Sequence, residues 1–179
     1  ECEEMVKTAL SLATMSTASE HNVLPQSNVD IGEPLKKEIE ALDKWDPNVA
    51  SLSSEWVQQT AMQLEKQILS HDGIAMSNHV SASLSYGTFA LGSTNGFRGA
   101  YSGTSSSLAG GALVEDSDNK KRTGMWWSAN RFRENLEAIE TVAQKAAAKA
   151  IEKLGARSVD STTVPVIFDP MMAKGFFGA

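Results

Sequence analysis

The sequence predicts an α+β fold, an antiparallel β-sheet meander with helices packed on it in two or three layers. Three observations predict it. Residues 54–70 carry one apolar helical stripe. Residues 74–128 turn rich in Gly, Ser and Thr and alternate with period two. Residues 135–154 return to helical spacing with an alanine-rich stripe.

The elements follow in order. Met5, Val6, Ala9, Leu10, Leu12 and Ala13 fall at helical spacing within residues 3–15. Residues 16–34 are polar, contain Pro25, Gly32 and Pro34, and read as a loop or arm. Leu35 to Leu42 suits a short helix that ends at Trp45-Asp46-Pro47, because a residue before proline is driven out of the α region. Ser53-Ser54-Glu55 supplies a hydroxyl cap and an acidic first turn. Val57, Ala61, Leu64 and Ile68 then make one stripe, widened by Trp56, up to His71-Asp72-Gly73.

In the sheet region Val80, Ala82, Leu84 and Tyr86 share one face, while Phe89 and Leu91 have the opposite parity. A β-bulge near Gly87-Thr88 would bring the two groups together. Thr94-Asn95-Gly96 is a hairpin signal, with Phe97–Tyr101 as the returning strand. Leu108–Glu115 is the next strand, Asp116–Asn119 a polar turn, and Met125–Ser128 a further strand. The last helix takes Asn135 as cap. It buries Ile139, Val142, Ala143, Ala146, Ala150, Ile151 and Leu154, and stops at Gly155 in the left-handed conformation. Its alanines imply close approach to a neighbour. Val164–Phe168 reads as a short buried strand opening a second unit. Residues 1–163 are thereby assigned to one α+β domain and 164–179 to the start of a truncated C-terminal one.

Net charge is −6, distributed unevenly: residues 1–78 carry −8 and residues 79–179 carry +2. This excludes the dense basic face that direct nucleic-acid binding requires. No apolar run reaches the roughly 18 residues of a membrane span. The single cysteine, Cys2, excludes an internal disulfide and leans towards a cytoplasmic location.

Catalytic constellations are absent from the pattern. His21, His71 and His79 pair with no ligand at metal-binding spacing. The glycines at 87, 92, 96, 99, 103, 110 and 111 match neither phosphate-loop motif and suit turns and close packing. Tyr101–Ser107 offers hydroxyls without a nucleophile elbow or a base. Trp126-Trp127 with Arg131 and Arg133 fits either a stacking surface or one core and one seam tryptophan.

Four ordered stretches carry a resemblance: Asn95–Tyr101, Trp126–Arg131, Ala147–Arg157 and Pro165–Pro170. Together they resemble the TldD/PmbA family, also called the modulators of DNA gyrase, on the PmbA (TldE) side. The likeness covers roughly residues 35–179 and leaves residues 1–34 as a poorly matched arm. One departure is Gly124-Met125, where the family often has an acidic residue before the aromatic pair. The resemblance implies the N-terminal portion, with its N-terminal α+β domain, of a PmbA/TldE-type subunit of a cytoplasmic two-component zinc metalloprotease acting on unstructured peptides. It implies zinc only in a TldD-type partner subunit, so no cofactor and no metal ligand fall to this chain, and a homo- or hetero-oligomer. In register with the family, Gly178-Ala179 falls where a TldD-type chain shows the first residues of its zinc helix. Phe97, Arg98, Tyr101, Trp126 and Trp127 are the candidate substrate- or partner-contact residues. The rival readings are a non-enzymatic scaffold or binding module, and a gyrase-modulating interaction protein.

Overall fold

The computed structural model describes residues 1–21, 23–24 and 33–177. Of the loop expected over 16–34, residues 22 and 25–32 lie outside them, as does Gly178-Ala179. The chain runs α1 (Cys2–Met15), α2 (Glu33–Ala41), α3 (Pro47–Ala50), α4 (Ser54–Leu69), β1 (Met76–Gly92), β2 (Arg98–Glu115), β3 (Lys121–Asn130), α5 (Ile139–Ile151) and α6 (Pro170–Ala173). The three strands form one antiparallel sheet in the order β1-β2-β3. Helices α4 and α5 cover one face of it, in agreement with the α+β expectation. No helix among the described residues is long and apolar enough to cross a membrane.

The core lies between those helices and the sheet. Leu64 and Ile68 of α4 meet Leu108, Ala112 and Val114 of β2, and Val142, Ala143, Ala147 and Ala150 of α5. The helix α4 starts where the sequence places it, with Ser53 Oγ accepting from the Trp56 amide at 3.4 Å. Glycine decides how close the helices come. A Cβ on Gly110 would lie 2.6 Å from Ile68 Cδ1. A Cβ on Gly124 would lie 2.5 Å from Ala146 O and closer still to the Ala150 amide. The backbone of α5 therefore rests directly on β3, as the alanine stripe anticipates.

The sheet differs from expectation in three ways. First, the strands expected at Phe97–Tyr101 and Leu108–Glu115 are one strand, β2, which begins at Arg98 and runs unbroken through the serines between them. Cross-strand hydroxyl pairs sustain it: Ser83 with Ser107 at 2.7 Å and Thr88 with Ser102 at 2.8 Å. Second, no bulge occurs at Gly87-Thr88, where pairing is continuous. The register shift sits between Asn78 and Ser81, and His79 takes the left-handed backbone there with φ 49°. Phe89 and Leu91 consequently stay on the opposite face from Val80, Ala82 and Leu84. Third, in the hairpin loop Gly96 has positive φ and Asn95 does not. The Gly96 amide donates to Ser93 O at 3.1 Å and the Ser93 amide to Phe97 O at 2.9 Å. This is a turn closed by a left-handed glycine, the three-residue hairpin type.

Helix α5 starts later than Asn135. Arg133–Asn135 form a 3₁₀ turn, and Ala138 precedes the first helical residue. The helix ends at Ile151, so Ile151 and Leu154 are exposed rather than buried. Gly155 has φ 71°, as predicted. Residues 156–169 have no regular structure, so the strand expected at Val164–Phe168 is not formed and its side chains are exposed. Helix α1 has no buried residue.

Gly124→Ala should lower unfolding free energy by about 3 kcal/mol, because the blocking atoms are backbone and cannot swing aside. Gly87→Ala, whose Cβ would meet nothing within 4 Å, should stay within about 0.5 kcal/mol of the parent. Urea denaturation of both variants measures the contrast.

Candidate functional site

Alternation sorts the five candidate residues. Trp126 pairs with Gly110 and points to the helix-covered face; Trp127 pairs with Ala109 and points to the open one. The Trp126 indole N–H donates to Glu137 Oε2 at 3.0 Å. Lys145 Nζ binds the same carboxylate at 2.9 Å and lies 4.6 Å from the ring centroid, with Lys149 Nζ at 5.2 Å. Trp126 is thus wedged between sheet and α5, with its polar atom satisfied. Trp127 remains 42% exposed and its same-face neighbour Met125 49%, so no described element covers that side of the sheet.

Tyr101 also faces the open side. Its ring lies 5.6 Å from that of its cross-strand partner Phe89, and Lys44 Nζ stands 4.1 Å from the Tyr101 centroid. Phe97 and Arg98 sit at the far end, where β2 leaves the hairpin loop. Tyr101 and Ala109, the partner of Trp127, are eight residues apart on one strand, about 26 Å at the usual rise. The five residues therefore do not converge on one pocket. Tyr101 and Trp127 share a face, Phe97 and Arg98 lie at the tip, and Trp126 is turned away. Phe89, Leu91, Met125 and Lys44 belong to the open-face surface and were not among the candidates. The opposite parity of Phe89 and Leu91 was the signal that could have found them.

Beyond Asn130 the strand β3 stops pairing with β2, and residues 43–46 take over the exposed edge. The Thr104 amide donates to Lys44 O at 3.0 Å. The Asp46 amide donates to Thr104 Oγ1 at 2.9 Å, and that hydroxyl donates to Arg131 O at 3.0 Å. Asp46 is 3% exposed. Its carboxylate accepts from the Arg133 amide at 2.8 Å and from the Asn48 amide at 2.8 Å. The Arg133 amide foremost, helped by the Asn48 and Val49 amides and opposed by burial, holds the Asp46 carboxyl below the usual carboxylate range. This joint fixes Lys44 over Tyr101.

Among the described residues no three His, Cys, Asp or Glu side chains are placed to hold a metal ion. The open surface offers free backbone on the outer edge of β1, flat small-residue stretches, and a few aromatic rings.

A family profile, PmbA/TldA metallopeptidase central domain, matches residues 47–154, more than half of the chain. Two solved structures share the fold. One is a candidate modulator of a DNA gyrase from Thermotoga maritima MSB8, with a TM-score of 0.60 at 18% identity over 66% of this chain and 27% of that one. The other is a candidate modulator of DNA gyrase from Bacteroides thetaiotaomicron VPI-5482, with a TM-score of 0.70 at 21% identity over 88% of this chain and 35% of that one. The chain thus spans about a third of the length of these structures. No curated protein matches it.

Because the folded-state pKa of Asp46 is depressed, its contribution to stability is complete above the unfolded value near 4 and is lost as pH falls through the lower folded value. Asp46→Asn should therefore be less stable than the parent at pH 7, and the two should converge as pH falls below the unfolded value near 4. Urea midpoints across that range test it; a constant gap would show that the carboxylate charge contributes nothing.

Proposed function

Since the chain belongs to the PmbA/TldA metallopeptidase family, we propose that it is the peptide-holding portion of a PmbA/TldE-type subunit, which contributes no zinc ligand and works with a zinc-bearing TldD-type partner. In this reading residues 1–163 form one unit and 164–179 open the next. One observation carries the proposal: from Val80 to Phe97 the hairpin has no charged residue and no proline, and the outer edge of β1 pairs with no described strand. Long uncharged edges accept further strands, whereas proteins that must refuse them place charge or proline there.

An extended peptide laid along β1 exchanges main-chain hydrogen bonds with the edge. Its side chains on one side meet the open face beside Phe89 and Leu91, with the Tyr101 ring packed behind Phe89. Cleavage then belongs to zinc-activated water held by the partner. The reading as a self-contained module expects Phe176 and Phe177 sealed in its own core. Instead Phe168 and Phe176 pack on each other at 4.9 Å between centroids, and Phe177 is 89% exposed, which favours the peptidase-subunit reading.

The full-length protein should purify with far less than one zinc per chain and leave an unstructured peptide intact. With its TldD-type partner it should support cleavage. Phe89→Ala and Tyr101→Ala in this subunit should raise KM several-fold with little change in kcat, the mark of lost uniform binding. Stoichiometric zinc in the protein alone overturns the assignment.

A further inference from the structure

A cleft of about 310 Å³ lies between the outer flank of α4 and the start of β1. Ala61, Met62 and Glu65 line it from the helix, and Ser77, His79 and Val80 from the strand. We propose that this cleft binds a primary ammonium group at one end of an extended peptide held on β1. The inference rests on the strand-accepting reading of that edge.

The cleft stands where the accepting edge stops. β1 pairs with β2 in continuous register from Ser81 to Gly92, and the register shift falls between Asn78 and Ser81. A peptide added to β1 can follow regular backbone only as far as Ser81, because a bulge interrupts the ladder. The bulge is held in place. His79 keeps left-handed backbone at φ 49°, a state that a non-glycine residue retains only where its surroundings over-determine it. The Asn78 carbonyl oxygen lies over Gly111, where a Cβ would come within 2.6 Å of it. The end of the added chain is therefore delivered beside the cleft.

The lining selects what that end must be. Glu65 Oε1 accepts from Ser77 Oγ at 2.7 Å, which ties α4 to β1 and orients the carboxylate. Among the described residues Glu65 Oε2 has no partner, and no lysine or arginine pairs with Glu65. With histidine neutral, Glu65 is the one formal charge in the lining. The Ser77 hydroxyl, its proton given to the carboxylate, and the His79 imidazole add acceptors. Ala61, Met62 and Val80 add apolar walls. One anion among neutral acceptors and aliphatic groups suits an alkylammonium and repels a carboxylate. The amino end of the peptide thus lies at Ser81, and the chain runs parallel to β1 towards Gly92. A lysine side chain presents the same ammonium group.

The test measures binding of the full-length protein, by isothermal titration at low ionic strength and pH 7, to a C-terminally amidated peptide of about twelve residues, the span of Ser81–Gly92. The peptide contains serine, threonine, valine and phenylalanine only. At that pH its α-amino group, with an ordinary pKa of about 8, is charged. Acetylating the N-terminus should weaken binding about three- to fivefold, the scale of one partly exposed charge-assisted contact. In Glu65→Gln, whose amide oxygen can still accept from Ser77, free and acetylated peptides should bind alike. Glu4→Gln, the same charge change on α1, should preserve the difference. An acetylated peptide with lysine as its first residue separates the two sources: recovered affinity assigns the side-chain ammonium, and unrecovered affinity the α-amino group. Equal binding of free and acetylated peptides to the parent, or a difference that survives in Glu65→Gln, overturns the inference and leaves the strand-accepting reading standing. Failure of both peptides to bind overturns the two together.

Discussion

The fold depends on the backbone of α5 lying on the backbone of β3 at Gly124. No side chain separates Gly124 from Ala146 and Ala150, so helix and strand meet at the shortest distance that sterics allow. Gly110 performs the same service under Leu64 and Ile68 of α4. Close approach lets small residues fill the interface at crystal-like density, which is why a core built largely of alanine, valine and leucine suffices. It also sets the rotation of α5. With Gly124 beneath the alanines, Lys145 and Lys149 fall over Trp126, the next residue of β3 on that face.

Covering one face so tightly leaves the other to different chemistry. The distal half of the β1–β2 hairpin extends past the helices, and a lone two-stranded ribbon is marginal in water. Here serine and threonine hydroxyls pair across the strands, while residues 43–46 clamp the edge at Thr104. The clamp orders Lys44, and with it the cation over Tyr101. Buried polar groups thus position an exposed aromatic surface: Asp46 and Thr104 matter to the open face although neither reaches it.

Much of this was legible in the sequence. The α4 stripe, the Gly96 turn, the alanine contact and the Gly155 stop each rest on local rules that the tertiary structure respects. The misreadings have identifiable physics. Parity showed that Phe89 and Leu91 differ from Val80, Ala82 and Leu84, but parity alone cannot distinguish a bulge from a strand with two used faces. The real bulge falls on His79, with no glycine to announce it. The serines of β2 read as a break because their stabilisation comes from hydroxyls on the partner strand. The start of α5 is delayed by contacts remote in sequence, Arg133 to Asp46 and Glu137 to Trp126. A β-branched run at Val164–Phe168 specifies extended backbone but not a partner, and no strand of the sheet takes it up. Of the candidate site residues, type was visible and direction was not. Trp126 and Trp127 are indistinguishable in composition, and only the register against Gly110 and Ala109 assigns one to each face.

The two edges of the sheet differ in what they present to an incoming strand. Near the edge of β3, Lys121 and Arg122 stand at the strand's start, and Lys153 Nζ donates to the Thr123 carbonyl at 2.6 Å. An incoming strand would have to displace that bond and desolvate the charges. The edge of β1 presents serine, glycine and apolar side chains from Val80 to Gly92, without a cation to remove. For the same number of main-chain hydrogen bonds gained, pairing at β1 costs less desolvation than pairing at β3. The sheet is therefore polarised towards accepting a strand on one side only. On that side the added chain would run beside Phe89 and Leu91, whose face continues onto Tyr101 of β2.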